Sequence, residues 1–362
     1  MGANATIDEL QDAGTALRAS QGPDVLAEWA MEAARKSKNT KFVLDGIKHP
    51  AEAKRFGDVS KFYLVAIEAS ADRRFDKMPD RYGEDRTAFD RNDRRDQEET
   101  DELGRPVEHG QRVQACVGIA DCVIWNDEPL SAGEGVAQGD QDGTVATLRK
   151  KLDRVVETIE DPPGRHVPTP EEVRMCQAYA VARMSLCERR RVGAVVTNSE
   201  GYVVAEGCNA VPEGQKSCQQ VYGGCYRRKW RGEYAQRVRN TVKCECGGQL
   251  DADLRCAKCG AWVADILLHG RDLELCRAVH AEENAILQFS RFGGPDIRRG
   301  TMYTTTFPCP LCANKIVQVQ LDRVVYFEPY ETAESLELLE KSHVDVRHFE
   351  GFTPRAYLSV YG

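Results

Sequence analysis

The sequence predicts an α/β chain folded as two domains, and three observations carry that reading. At 362 residues the chain is roughly twice the ~100–150 residues typical of one domain. Short apolar, β-prone runs alternate with helical patterns, the arrangement of α/β folds. A break in composition at Glu160–Pro170, holding four prolines and Gly164, continues neither a helix nor a central strand. Residues 1–160 therefore read as one domain, 161–168 as a linker and 169–362 as the second domain. With 41% apolar and 29% charged residues, the chain is neither mainly disordered nor fibrous. No apolar run approaches the ~18–20 residues of a membrane span, and Met1–Leu10 lacks a basic-then-apolar leader, so a cytoplasmic protein is expected. The net charge of −8, from 57 acids against 49 bases, argues against a general nucleic-acid coat and leaves room for a local phosphate site.

In the first domain, Asp24–Lys36 reads as a helix, and Phe42–Ile47 and Phe62–Ile67 read as buried parallel strands. Arg81–Glu108, with 10 acids and 6 bases in 28 positions, reads as a solvated helical excursion. Val113–Ile124 reads as a helix end running into a third strand, and Ser131–Thr144, rich in Gly, Asp and Gln, as a loop. A nucleotide kinase of this shape needs Gly-x-x-x-x-Gly-Lys-Ser/Thr, whose backbone N–H groups and lysine hold phosphates. Neither Gly-Lys-Ser nor Gly-Lys-Thr occurs in the chain, so ordinary kinase activity is not expected.

The second domain opens on Thr169-Pro170-Glu171-Glu172, a capping-box threonine, a proline at the first helical position and a glutamate three residues after the cap. Val173, Cys176, Ala180, Met184 and Cys187 then mark one face of a helix. Val192–Thr197 and Tyr202–Gly207, joined by Asn198-Ser199-Glu200-Gly201, read as a hairpin.

The chain has 14 cysteines, which in a reducing compartment suggest metal sites and buried thiols more than disulfides. Eight lie between Cys208 and Cys276, and two more in Pro308-Cys309-Pro310-Leu311-Cys312. His280-Ala281-Glu282 precedes that last motif, with Pro308 28 positions beyond His280. One imidazole, His280, and two thiolates, Cys309 and Cys312, supply three ligands for a tetrahedral zinc and leave the fourth position to water. Zinc brings the pKa of such a water towards ~7, so the nucleophile forms at neutral pH. Glu282 stands too near His280 to be a comfortable fourth ligand and suits general acid–base work. Cys309 and Cys312, at i and i+3 around Pro310, fit the first turn of a helix, where the dipole favours thiolates.

His-x-Glu followed by Pro-Cys-x-x-Cys is the signature of the zinc nucleobase deaminases. From Arg174 to Phe349 the chain resembles the deoxycytidylate deaminase family. Arg191–Val196 is similar to that family's first strand, Gly207-Cys208-Asn209-Ala210-Val211-Pro212 to its Gly-x-Asn-x-x-Pro turn, and Tyr303–Phe307 to the strand entering the second zinc motif. Arg323–Glu328, Glu331–Lys341 and Asp345–Phe349 are similar to its closing strand, helix and strand. The resemblance implies a cytidine-deaminase-like three-layer α/β/α domain. It also implies sugar contact by Asn209, a hold on the cytosine ring by the backbone at Ala281, and assembly into a homo-oligomer. In the first half, Leu10–Gly14, Val43–Pro50, Arg81-Tyr82 and His109–Val113 resemble the P-loop kinase-like domain fused to certain bacterial deoxycytidylate deaminases. Those two-domain proteins are associated with phage defence by nucleotide depletion; this chain departs from them in lacking the Walker A segment. The function implied is hydrolytic deamination of free deoxycytidine nucleotides, dCMP or dCTP. A non-catalytic nucleotide sensor, and a deaminase of cytosine or adenine within RNA or DNA, are the alternatives.

Residues 210–275 form a long insertion for such a domain. Cys244-Glu245-Cys246 and Cys256-Ala257-Lys258-Cys259 are two knuckle-like pairs with nine residues between them, each followed by glycine. Four cysteines with no open position predict a second, structural zinc, with Cys218 or Cys225 as possible replacements for one ligand. Tyr226–Lys243 carries Arg227, Arg228, Lys229, Arg231, Arg237, Arg239 and Lys243 against Glu233 alone. That patch reads as a clamp for substrate phosphates or as a solvated helix face. Single-stranded nucleic acid is a third reading, since Tyr222, Tyr226, Trp230 and Tyr234 interleave with the charges.

Overall fold

The computed structural model describes residues 6–58, 61–100, 107–127, 142–251, 254–261, 275–329 and 332–362. Most of the Ser131–Thr144 loop and the end of the 210–275 insertion lie outside them. The chain divides into two compact units, Met1–Val173 with Phe349–Gly362, and Arg174–His348. The division falls five residues beyond the expected linker and returns the last fourteen residues to the first unit.

The first unit holds a three-stranded sheet. Strands β1 (Val65–Glu68) and β2 (Cys122–Trp125) run parallel, and the short β8 (Gly351–Phe352) lies antiparallel on β2. Its core joins Cys122, Ile124, Val155, Phe352, Ala356 and Val360. The helical and strand parts expected in Val113–Ile124 appear as a helix, Val113–Val117, followed by β2. The strand expected at Phe42–Ile47 does not form. Residues 41–48 carry no regular structure, and Val43 is 98% exposed. Gly46, at φ +85°, takes a backbone turn foreign to a strand, and no strand among the described residues pairs with the run.

The C-terminal segment is held by Glu172, whose side chain is fully buried. Its carboxylate accepts from the Phe352 N–H at 2.8 Å, the Tyr361 hydroxyl at 3.1 Å, the Thr169 N–H at 2.7 Å and the Arg154 guanidinium at 3.0 Å. The glutamate expected to cap its own helix therefore also anchors β8 and the final helix, Pro354–Tyr361. Glu172→Ala leaves several buried donors unpaired and is expected to destabilise this unit by about 3 kcal/mol or more. Urea unfolding monitored in the parent and the variant reads that loss; an unchanged midpoint contradicts it.

In the second unit, β3 (Gly193–Thr197) and β4 (Val203–Cys208) form the expected hairpin. With β5 (Thr301–Thr306), β6 (Arg323–Glu328) and β7 (Asp345–His348) they make one sheet in the order β4-β3-β5-β6-β7. The hairpin and the β3–β5 pair are antiparallel, whereas β5, β6 and β7 run parallel. Helices cover both faces. On one, Gly193 lies so close to the helix Pro170–Ala182 that an added Cβ would stand 2.0 Å from the Ala178 carbonyl oxygen. On the other, Ala281 and Ala285, Ile316 and Leu339, from three successive helices, pack against Ala194, Val196, Met302 and Val324.

Candidate active site and metal centres

The two zinc motifs meet because each opens a helix at the same end of the sheet. His280 is the N-cap of Ala281–Phe292, and Cys309 the N-cap of Pro310–Gln318, with Pro310 at the first helical position. The first helix is drawn onto β4 at Gly207, where a Cβ would stand 2.4 Å from the Ala285 nitrogen and 2.6 Å from the Ala281 carbonyl oxygen. Asn284 ties the same contact by donating from Nδ2 to the Cys208 carbonyl at 3.0 Å. Gly207→Ala must push this helix away from the sheet, and with it His280 and Glu282. It is expected to cost about 3 kcal/mol of stability and most of the activity. A thermal melt with an activity assay checks both, and parental values in each contradict the packing described.

His280 Nδ1 lies 3.3 Å from Cys309 Sγ and 3.4 Å from Cys312 Sγ, and the three ligand atoms all fall within 4.8 Å of one another. Ligands about 2.1–2.3 Å from a tetrahedral zinc stand roughly 3.5–3.8 Å apart, so the donor set and its spacing fit that ion. Hydrogen bonds from the Cys312 thiol and from His280 hold the Cys309 thiol down at about 4. Glu282 is 4% exposed, and its burial pushes the carboxyl up to about 7. Ala281, between His280 and Glu282, is fully buried.

Asn209 closes the β4 end of this region. Its Oδ1 accepts from the Val192 N–H at 2.8 Å and its Nδ2 donates to the Arg190 carbonyl at 2.9 Å, a clamp on the chain entering β3. Asn209 and Ala278 also line a cavity of about 240 Å³, together with Cys276, Arg227 and Arg277. Two neighbours of the centre went unassigned in the sequence reading. The His280 side chain beside Cys276 holds that thiol below its ordinary value, and Arg277 enters the cavity wall. The signal for both was their place, four and three residues ahead of His280.

The second cysteine cluster is separate and closed. Cys246 Sγ lies 3.5, 3.3 and 3.4 Å from the sulfurs of Cys244, Cys256 and Cys259, and Cys244 and Cys259 are 3.5 Å apart. Four sulfurs at tetrahedral spacing fit a structural zinc, and the Cys-x-Cys pair reaches the same geometry as the Cys-x-x-Cys pair. The Lys258 N–H points at Cys256 Sγ at 3.4 Å, and hydrogen bonds from the Cys259 and Lys258 backbones lower that thiol to about 6. The basic stretch is a helix, Tyr226–Thr241, whose Ala235 and Val238 pack with Leu254 as a small local core. Cys218 and Cys225 line the cavity and stand outside this cluster.

Residues 168–328 match the family model of the cytidine and deoxycytidylate deaminase zinc-binding region. The chain is 28% identical over 190 residues to the deoxycytidylate deaminase of Schizosaccharomyces pombe, covering 52% of this chain and 46% of that protein. It is 31% identical over 173 residues to that of Saccharomyces cerevisiae, covering 48% and 42%. The chain thus spans about half the length of these two relatives. Against the deoxycytidylate deaminase of Mycobacterium phage D29 the identity is 32% over 149 residues, 41% of this chain and 87% of the phage protein.

Proposed function

The chain belongs to the deoxycytidylate deaminase family, and on that premise we propose that it hydrolytically deaminates free deoxycytidine nucleotides, dCMP or dCTP, to their deoxyuridine counterparts. The observation that carries the reading is a buried carboxyl, Glu282, two residues from His280 and so set beside three convergent zinc ligands. Zinc held by His280, Cys309 and Cys312 supplies Lewis acidity that makes water a competent nucleophile at neutral pH. Glu282 takes a proton from the attacking water and delivers it to the ring nitrogen N3 of cytosine. It then moves the second proton to the exocyclic amine, which leaves as ammonia as the carbonyl forms. A carboxyl suits both transfers, since the same group takes the proton and gives it back. Backbone at the buried Ala281 holds the cytosine ring, and Asn209 faces the sugar with the N–H of Nδ2 that its clamp leaves over.

The metal ligands and Glu282 set this reading above a pure nucleotide sensor, which has no use for a proton shuttle. Cys244, Cys246, Cys256 and Cys259 hold a second zinc that builds the insertion. No disulfide joins any of the fourteen cysteines, and among the described residues no helix is long and apolar enough to cross a membrane. For the first unit, the parallel pair β1–β2 among helices supports a kinase-like module lacking its phosphate loop. Such a pairing of units serves phage defence if the deaminase drains the deoxycytidine nucleotide pool. Incubation of the zinc-loaded chain with cytidine, dCMP, dCDP, dCTP, CTP and a cytosine-containing oligonucleotide tests the substrate class. Deamination of dCMP or dCTP is expected; turnover of the oligonucleotide alone overturns it.

A further inference from the structure

We propose that Ser185 is a positioning residue for the deamination, its buried hydroxyl holding Asn209 where that side chain meets the sugar; the proposal rests on the deaminase reading above. Ser185 is fully buried. Its N–H donates to the Ala182 carbonyl at 3.1 Å, in the turn that ends the helix Pro170–Ala182, so the helix fixes where the hydroxyl stands. The hydroxyl donates to the Asn209 carbonyl at 2.6 Å and accepts from the Cys187 N–H at 3.2 Å. A hydroxyl is donor and acceptor at once, so one small side chain joins the carbonyl of one segment to the N–H of another. Alanine fills nearly the same space and makes neither bond.

Both segments that Ser185 joins face the cavity of about 240 Å³. Leu186, Cys187 and Glu188 line it, as do Asn209, Ala210 and Val211, whereas Ser185 stands behind that lining and acts only through its neighbours. The turn it grips is fastened at two further points. The Asn209 N–H donates to the Val192 carbonyl at 3.1 Å, beside the side-chain clamp on Val192 and Arg190. One residue on, Ala210 and Val279 exchange N–H···O bonds at 3.2 and 2.9 Å, which ties the turn to the residue before His280. Asn209 is thereby set against the metal ligands through its own peptide, and the Ser185 hydroxyl grips the carbonyl of that peptide. Without the hydroxyl this peptide can turn, while bound zinc still gathers His280, Cys309 and Cys312. The loss therefore falls on substrate binding more than on the chemical step.

The test is a double-mutant cycle in steady-state kinetics of the zinc-loaded chain, on dCMP or dCTP according to which the parent turns over, with zinc content measured beside it. Ser185→Ala is expected to raise KM by about fivefold or more, to leave kcat within about threefold of the parent and to keep its zinc. Asn209→Ala is expected to raise KM further, and adding Ser185→Ala to it to change KM by less than about twofold, since the hydroxyl acts through Asn209. Ser185→Cys, close in shape and with a much weaker donor, carries the same cycle if the alanine variant folds poorly, with a rise of about threefold expected. A parental KM in both Ser185 variants overturns the proposal, as does a rise that persists in full on the Asn209→Ala background. Loss of zinc from both overturns it too, because Ser185 then serves the metal centre and not Asn209. A parent that deaminates neither dCMP nor dCTP overturns the deaminase reading itself.

Discussion

Replacing Glu282 by alanine is expected to lower turnover of dCMP by at least about 10³-fold while the zinc at His280, Cys309 and Cys312 remains. The carboxyl is buried and is the acidic side chain nearest the three ligands along the chain, so no neighbour takes over its proton transfers. Glu282→Gln keeps the shape of the side chain and removes its capacity to take and give a proton. It is expected to fall as far as the alanine variant, which separates proton transfer from positioning. Metal analysis beside the assay distinguishes a lost shuttle from a lost ion. A variant with its zinc and the parental rate contradicts the role given to Glu282.

Replacing Cys256 and Cys259 together by serine is expected to reduce the zinc content from about two per chain to about one. The effect on the insertion is large because its own core is small: Ala235, Val238 and Leu254 are its buried apolar residues among those described. So few cannot fold a module of this size unaided, and structural zinc commonly contributes about 10 kcal/mol or more to such units. Limited proteolysis is expected to cut the variant between Tyr226 and Cys259 while the five-stranded sheet stays intact. A parent containing a single zinc contradicts the second site.

Much of the catalytic domain could be read ahead of the structure because its chemistry is local. His280 with Glu282, and Cys309 with Cys312, each sit within one helical turn, and spacing along the sequence already fixes their relative geometry. The same holds for Cys244, Cys246, Cys256 and Cys259, which chain proximity gathers. β6 begins and ends at the residues that the family resemblance implies, a continuous apolar run from Val324 to Phe327 bounded by Arg323 and Glu328.

What escaped was long-range. Phe42–Ile47 has the composition of a buried strand, but a strand exists only where another strand pairs with it, and none among the described residues does. β8 consists of two residues and is a strand because β2 and Glu172, 180 positions earlier, receive it. The Ser185–Asn209 bond was invisible for a similar reason: the two residues are 24 positions apart and meet only where the turn after β4 reaches the end of the preceding helix. Asn209 was legible as a turn residue, but its double bond to the backbone at Arg190 and Val192 needed the hairpin to be closed.

The most direct test of the central claim is to incubate the zinc-loaded chain with dCMP and dCTP in ¹⁸O-labelled water and analyse the products by mass spectrometry, with ammonia measured in parallel. The expected result is a deoxyuridine nucleotide carrying one solvent oxygen for each ammonia released, with the phosphates untouched. Unchanged nucleotide and no ammonia from either substrate would contradict the assignment of this site as a hydrolytic deaminase.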